Sequence, residues 1–190
     1  MRVALKYARR HQTDVSGLFC LGAGMAGLDA VVRDSLIKQV NIERFNEAVY
    51  LALAWRLDVL NLSGAAKYFK AQSDEEAQHA RKFADYLIDR NESPVVSSVM
   101  GFDAPAADML TAIATFAQAA LQREMINTEY IKTIYAQAQE ADDPQTCVWL
   151  IWALDEQTHA ERELSELVAR ATFAQGCPAA ILALDKELGA

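Results

Sequence analysis

The strongest constraint in this chain is a glutamate and a histidine, three residues apart, inside what is otherwise the apolar face of a helix. From about Gly64 to Arg90 the sequence has no proline and reads as one long helix, with Leu62, Ala65, Phe69, Glu76, His79, Phe83 and Leu87 recurring every three to four residues or in multiples of that spacing. At that spacing Glu76 and His79 leave the helix from one side. A carboxylate and an imidazole therefore occupy core register, where charge needs a partner or a metal ion.

Two other helical stretches repeat the oddity. From Leu28 to about Leu60 the stripe Leu36, Val40, Glu43, Tyr50, Leu53 and Leu57 holds Glu43 among apolar positions. From about Pro105 to Gln139, where Pro105 and Asp108 suit a first turn, the stripe Ile113, Ala117, Ala120, Glu124, Asn127 or Thr128, Ile131 and Tyr135 does the same with Glu124. Glutamates from two helices and a Glu-x-x-His are what a carboxylate-bridged di-iron site in a four-helix bundle requires.

The connections agree with a bundle. Asn61-Leu62-Ser63-Gly64 supplies turn chemistry between the first two helices, and Asp142-Asp143-Pro144 ends the third and admits a fourth, from about Pro144 to Thr172. Residues 91–105 contain two prolines, a glycine and a serine pair without helical period, which reads as a crossover along the bundle. Gly176-Cys177-Pro178 closes the fourth helix and leaves a short apolar fifth, Ala179 to Leu188. The expected fold is all-α: two helical hairpins joined by one long crossover, with a small C-terminal helix.

Composition narrows the partners. At 190 residues and 52% hydrophobic, the chain suits one domain with a full core. A net charge of −8 argues against a nucleic-acid surface and suits cations as cargo. Cys20, Cys147 and Cys177 are odd in number and form no CxxC, so a disulfide framework is not expected and a reducing, cytoplasmic setting is. No apolar run reaches the roughly 18 to 20 residues of a bilayer span, so no membrane partner is expected.

The fourth helix has its own Glu-x-x-His, Glu156 and His159, but its apolar positions Leu150, Ala153, Ala160, Leu164, Leu167 and Ala171 put Gln157 in register instead. Glu43 to Glu76 is 33 residues, and Gln157 stands 33 after Glu124. One residue turns a helix by about 100°, so Gln157 is expected inward, with Glu156 and His159 at the edge of the site near Glu75. The alternative register, with Glu156 and His159 facing the metal, stays open because loop lengths can absorb a residue.

With these residues in view, the chain from about Leu28 onward resembles the prokaryotic non-haem ferritins. The likeness rests on Asn41-Ile42-Glu43 with Tyr50 seven later, Ser73-Asp74-Glu75-Glu76 through His79, and Glu124 twenty before Pro144. It rests further on Trp152 four before Glu156, the pair Glu156-Gln157, and the tail Leu184-Asp185-Lys186-Glu187-Leu188. The resemblance implies a ferritin-like four-helix bundle and a ferroxidase that oxidises Fe(II) with O2 or peroxide and stores the product as mineral inside a 24-subunit homo-oligomeric shell. It implies a first iron held by Glu43, Glu76 and His79, a second by Glu76 and Glu124, and Gln157 beside the pair. Glu75, Glu156 and His159 would serve a third position, and Tyr50 and Trp152 would be nearby redox-active aromatics.

Two departures matter. Relatives usually carry glutamates three and four after the Glu of Glu-Gln, where this chain has His159 and Ala160, so the second iron should bind more weakly. Related bacterioferritins place a haem-ligating methionine where Ala77 stands, so no haem is expected. Counting from Met25 makes Glu43 the nineteenth residue of a 166-residue chain, ordinary for the resemblance. Residues 1–24 are therefore expected to be a dispensable extension or a misread start, and residues 25–190 the bundle. The competing functions are a rubrerythrin-like di-iron oxidase or peroxidase, disfavoured by the missing CxxC pairs, and a catalytically weakened shell subunit.

Overall fold

The computed structural model describes residues 27–190; the expected extension over residues 1–24 lies outside them. Five helices follow one another: α1 (Ala30–Val59), α2 (Ser63–Asp89), α3 (Ala112–Glu140), α4 (Pro144–Ala174) and α5 (Pro178–Leu188). Helix α1 packs along α2, α3 along α4, and α1 against α3, while α5 lies against α2 and α4. None of the described helices is long and apolar enough to cross a membrane.

Three of the helix ends share one device. Asn61, Asn91 and Asp142 have φ of 60°, 61° and 52°, the left-handed conformation that Asn and Asp tolerate better than most side chains. Each is followed by a residue whose N–H reaches back to the last turn: Leu62 to Leu57 O at 3.0 Å, Glu92 to Leu87 O at 2.8 Å and Asp143 to Ala138 O at 2.9 Å. These are Schellman closures, with Asn or Asp where glycine is commoner.

One boundary differs from the expectation, and one glycine has a role beyond its turn. Helix α3 starts at Ala112, later than Pro105 to Asp108, because Asp108 is spent on a turn of its own: its Oδ1 accepts from the N–H groups of Leu110 and Thr111 at 2.9 and 3.0 Å. Gly64 belongs to the first turn of α2, where a Cβ would lie 1.8 Å from Asp185 O. Its missing side chain lets α5 close over the start of α2, and Asp185 Oδ1 accepts from Ala65 N–H at 2.8 Å. The crossover is pinned to α1 by Asn41, whose Nδ2 donates to Val95 O at 2.8 Å and whose Oδ1 accepts from Ser97 N–H at 2.7 Å.

The core falls into two apolar blocks. One, around Leu53, Leu57, Phe69, Phe116 and Ile181, lies at the α5 end; the other, around Val32, Leu36, Phe83, Ile131 and Leu150, lies at the opposite end. Between them runs a layer of buried polar residues: Gln39, Glu43, Asn46, Glu76, Glu124, Asn127 and Gln157.

Candidate metal centre

The four long helices each send carboxylates or amides into this layer. One oxygen of Glu43, one of Glu76 and a ring nitrogen of His79 lie within 4.8 Å of one another. Both carboxylates are buried and the imidazole is partly buried. His79 Nδ1 is 3.6 Å from Glu76 Oε1, and Glu76 Oε2 is buried without a hydrogen-bond partner among the described residues. An orphaned buried carboxylate oxygen is costly to an apo protein and is the lone pair that a cation would use.

Glu124 is also buried but stands outside that trio, with both oxygens engaged. Tyr50 donates its hydroxyl to Oε1, and Gln157 Nε2 donates to Oε2 at 3.0 Å. Gln157 is buried and points inward, whereas Glu156 and His159 are exposed, and His159 Nδ1 lies 3.9 Å from Asp155 Oδ2. Glu75 is exposed at the rim. The geometry therefore gathers Glu43, Glu76 and His79 tightly, sets Glu124, Tyr50 and Gln157 beside them, and leaves Glu75, Glu156 and His159 toward solvent.

Sequence reasoning missed Gln39, Asn46 and Asn127 as a connected set. Gln39 Nε2 donates to Glu43 Oε1 at 2.7 Å and to Asn127 Oδ1 at 2.6 Å, and Asn127 Nδ2 donates to Glu43 Oε2 at 3.2 Å. Asn46 Oδ1 accepts from Arg123 Nη2 at 2.8 Å. The signal was present, since Gln39 and Asn46 stand one turn either side of Glu43 in the α1 stripe. Gln39 and Asn127 orient Glu43 without neutralising it, which is how carboxylates around a metal are held.

The electrostatics follow from burial. Glu76 is pushed up from 4.5 to about 8, first by burial and then by the Glu124 charge. Burial, with Glu76 facing it, holds Glu43 well above the ordinary carboxylate range. Tyr50 is likewise raised by burial and by Glu124. At the rim, partial burial raises Glu75, with the charges of Glu156 and Glu163 adding to it against His79. Without a cation this pocket keeps protons at neutral pH. Three oxygen-bearing helices plus one imidazole form the mixed hard-oxygen and nitrogen donor set that iron accepts.

Comparison with known proteins agrees with this geometry. A family model described as a ferritin-like domain matches residues 33–173. The chain is 30% identical over 128 residues to a bacterial non-heme ferritin of Staphylococcus haemolyticus, spanning 67% of this chain and 75% of that one. It is 25% identical over 151 residues to a probable bacterial non-heme ferritin-like protein of Haemophilus influenzae, spanning 80% and 89%. Its fold is similar to that of an open-pore ferritin from the hyperthermophilic archaeon Archaeoglobus fulgidus, with a TM-score of 0.81, 25% identity, and coverage of 87% of this chain and 98% of that one. With its helix order, its buried carboxylate layer and these matches taken together, the chain belongs to the ferritin family of iron-storage proteins and is similar to the bacterial non-haem ferritins.

Proposed function

We propose that the protein is a ferroxidase, oxidising Fe(II) at the carboxylate layer with O2 or hydrogen peroxide and storing the Fe(III) product as mineral. The observation that carries this reading is the convergence of Glu43, Glu76 and His79 within 4.8 Å, with Glu76 Oε2 buried and unpartnered. Glu43, Glu76 and His79 hold the first ferrous ion. Glu76, through its second oxygen, and Glu124 hold another. Gln157 and Tyr50 hold Glu124 in place meanwhile, and must yield an oxygen to the incoming ion. Binding displaces the protons that burial keeps on Glu43 and Glu76. Glu75, Glu156 and His159 form a looser, solvent-facing third position, through which Fe(III) leaves.

Ala160 places no carboxylate beside the second ion, so this position is the weaker one. That residue also favours the second reading, a shell subunit with diminished oxidation. A hollow assembly, of 24 copies as in the resemblance, is supported by large apolar side chains on the surface: Val59, Met100 and Val148 are exposed, and Phe173 is 94% exposed. The cytoplasm is the proposed compartment.

Stopped-flow near-ultraviolet absorbance after aerobic Fe(II) addition tests the chemistry, and light-scattering mass tests the shell. Ferric absorbance in the unmodified protein, abolished in Glu76→Gln, is the expected result. No Fe(II) uptake in the absence of oxygen overturns the reading, and uptake without oxidation selects the weakened subunit.

A further inference from the structure

A file of aromatic rings leaves the centre and runs toward the end of the bundle far from α5. The His79 ring lies 5.6 Å from Trp152, Trp152 lies 5.6 Å edge-on from Trp149, and Trp149 stacks on Tyr86 at 4.0 Å with 13° between the planes. Phe83 walls the file at 5.1 and 5.5 Å from the two indoles.

The two ends of the file differ in what they can do with a proton. Tyr86 Oη is 2.8 Å from Thr146 Oγ1, which is 2.6 Å from Asp143 Oδ2. Arg90 Nη1 lies 2.7 Å from the same phenol oxygen, and a guanidinium can only donate. The phenol therefore accepts from Arg90 and donates to Thr146, which donates to Asp143: a directed path from phenol to carboxylate. Trp152 has no such path. Its Nε1 is buried without a hydrogen-bond partner among the described residues, against the usual habit of a buried indole, and Lys82 Nζ sits 3.4 Å from its ring centre. Loss of an electron from Trp152 would leave a radical cation that cannot shed its proton and that faces an ammonium group, reversing the attraction a neutral ring offers. The electron deficiency has to move on, and Tyr86 is where it can come to rest as a neutral phenoxyl.

Resting on the proposed oxidation of Fe(II), we propose that Trp152, Trp149 and Tyr86 form an electron ladder with Tyr86 as its terminal donor and with Thr146 and Asp143 as the route of its proton. One ferrous ion yields one electron, while hydrogen peroxide takes two electrons to become two hydroxide ions. Where the weaker second position is empty, Tyr86 provides the other electron. Its O–H bond breaks, the proton passes through Thr146 to Asp143, and the iron and the phenol are each oxidised by one electron as peroxide is reduced. A later ferrous ion at the centre returns an electron along the ladder, and the proton comes back to the phenol.

The test mixes the full protein, without oxygen, with one equivalent of Fe(II) per chain and excess hydrogen peroxide, then freezes it for electron paramagnetic resonance. The expected result is an organic radical whose ring-proton splitting collapses in protein grown on ring-deuterated tyrosine. That signal should be lost in Tyr86→Phe, which keeps the stack, and in Trp149→Leu, which keeps the phenol's hydrogen bonds; far-ultraviolet dichroism checks that both remain helical. A signal unchanged by deuteration overturns the ladder in the unmodified protein, whatever the variants do. A tyrosine signal that survives Tyr86→Phe but disappears in Tyr50→Phe overturns it as well. Unmodified protein that oxidises no Fe(II) removes centre and ladder together, whereas iron oxidation without a Tyr86-dependent radical removes the ladder alone.

Discussion

Glu76 has one oxygen 3.6 Å from an imidazole and the other buried without a hydrogen-bond partner among the described residues, and burial, with the Glu124 charge, pushes its carboxyl up to about 8. In the folded protein its pKa lies above the ordinary 4.5, so the fold holds a proton that the unfolded chain has released. The stabilisation this gives is complete below about pH 4.5 and is lost as pH rises through about 8. The thermal midpoint of metal-free protein should therefore fall from about pH 5 to about pH 8, read by calorimetry across a buffer series. Glu76→Gln, neutral throughout, should flatten that slope. In the unmodified protein, saturating Fe(II) added without oxygen should raise the midpoint at the upper end, since a cation replaces the lost protons. Glu43, Glu76, His79 and Glu124 were legible in the sequence because charge in core register is conspicuous. Gln39, Asn46 and Asn127 were not, because a neutral amide in an apolar stripe is easily taken as a lapse in the pattern, and its role appears only when its partners on other helices are known.

At the scale of elements, helix identity was readable from the 3.6-residue period, and the inward position of Gln157 followed from the same count. The start of α3 was not, since Asp108 caps a turn or a helix equally well and only the backbone decides which. Gly64 was placed at the start of α2, but its purpose was not legible: glycine signals a turn, yet here it serves the approach of α5. Gly64→Ala should destabilise the fold by about 1–3 kcal/mol, because the atom it collides with is backbone and cannot rotate away. Thermal or denaturant unfolding checks this, and Gly101→Ala, with nothing within 4 Å, is the control. The start of α4 depends on Asp143, which accepts from Thr146 N–H at 3.1 Å and pairs with Arg90 Nη2 at 3.0 Å. Although burial opposes it, the Arg90 and Thr146 hydrogen bonds keep the Asp143 carboxyl below its usual range. Asp143→Ala should cost about 1–2 kcal/mol for the cap alone, with a further loss from the stranded Arg90, in the same unfolding assay.

For the whole molecule, the two apolar blocks that flank the polar layer have a consequence for how the protein comes apart. Among the described residues the two blocks are separate clusters with the polar layer between them, so the two ends are expected to open with some independence. Deuterium uptake by the metal-free chain should accordingly resolve two sets of slow amides with different opening energies, around Leu57 and Phe116 in one set and Leu36 and Phe83 in the other. An ion ligated from several helices at the waist would rivet the two ends into one cooperative unit, and the two sets should then exchange together. Loading would thus be felt by the chain as a change in mechanical wholeness: an empty subunit would open as two halves, a filled one as a single body.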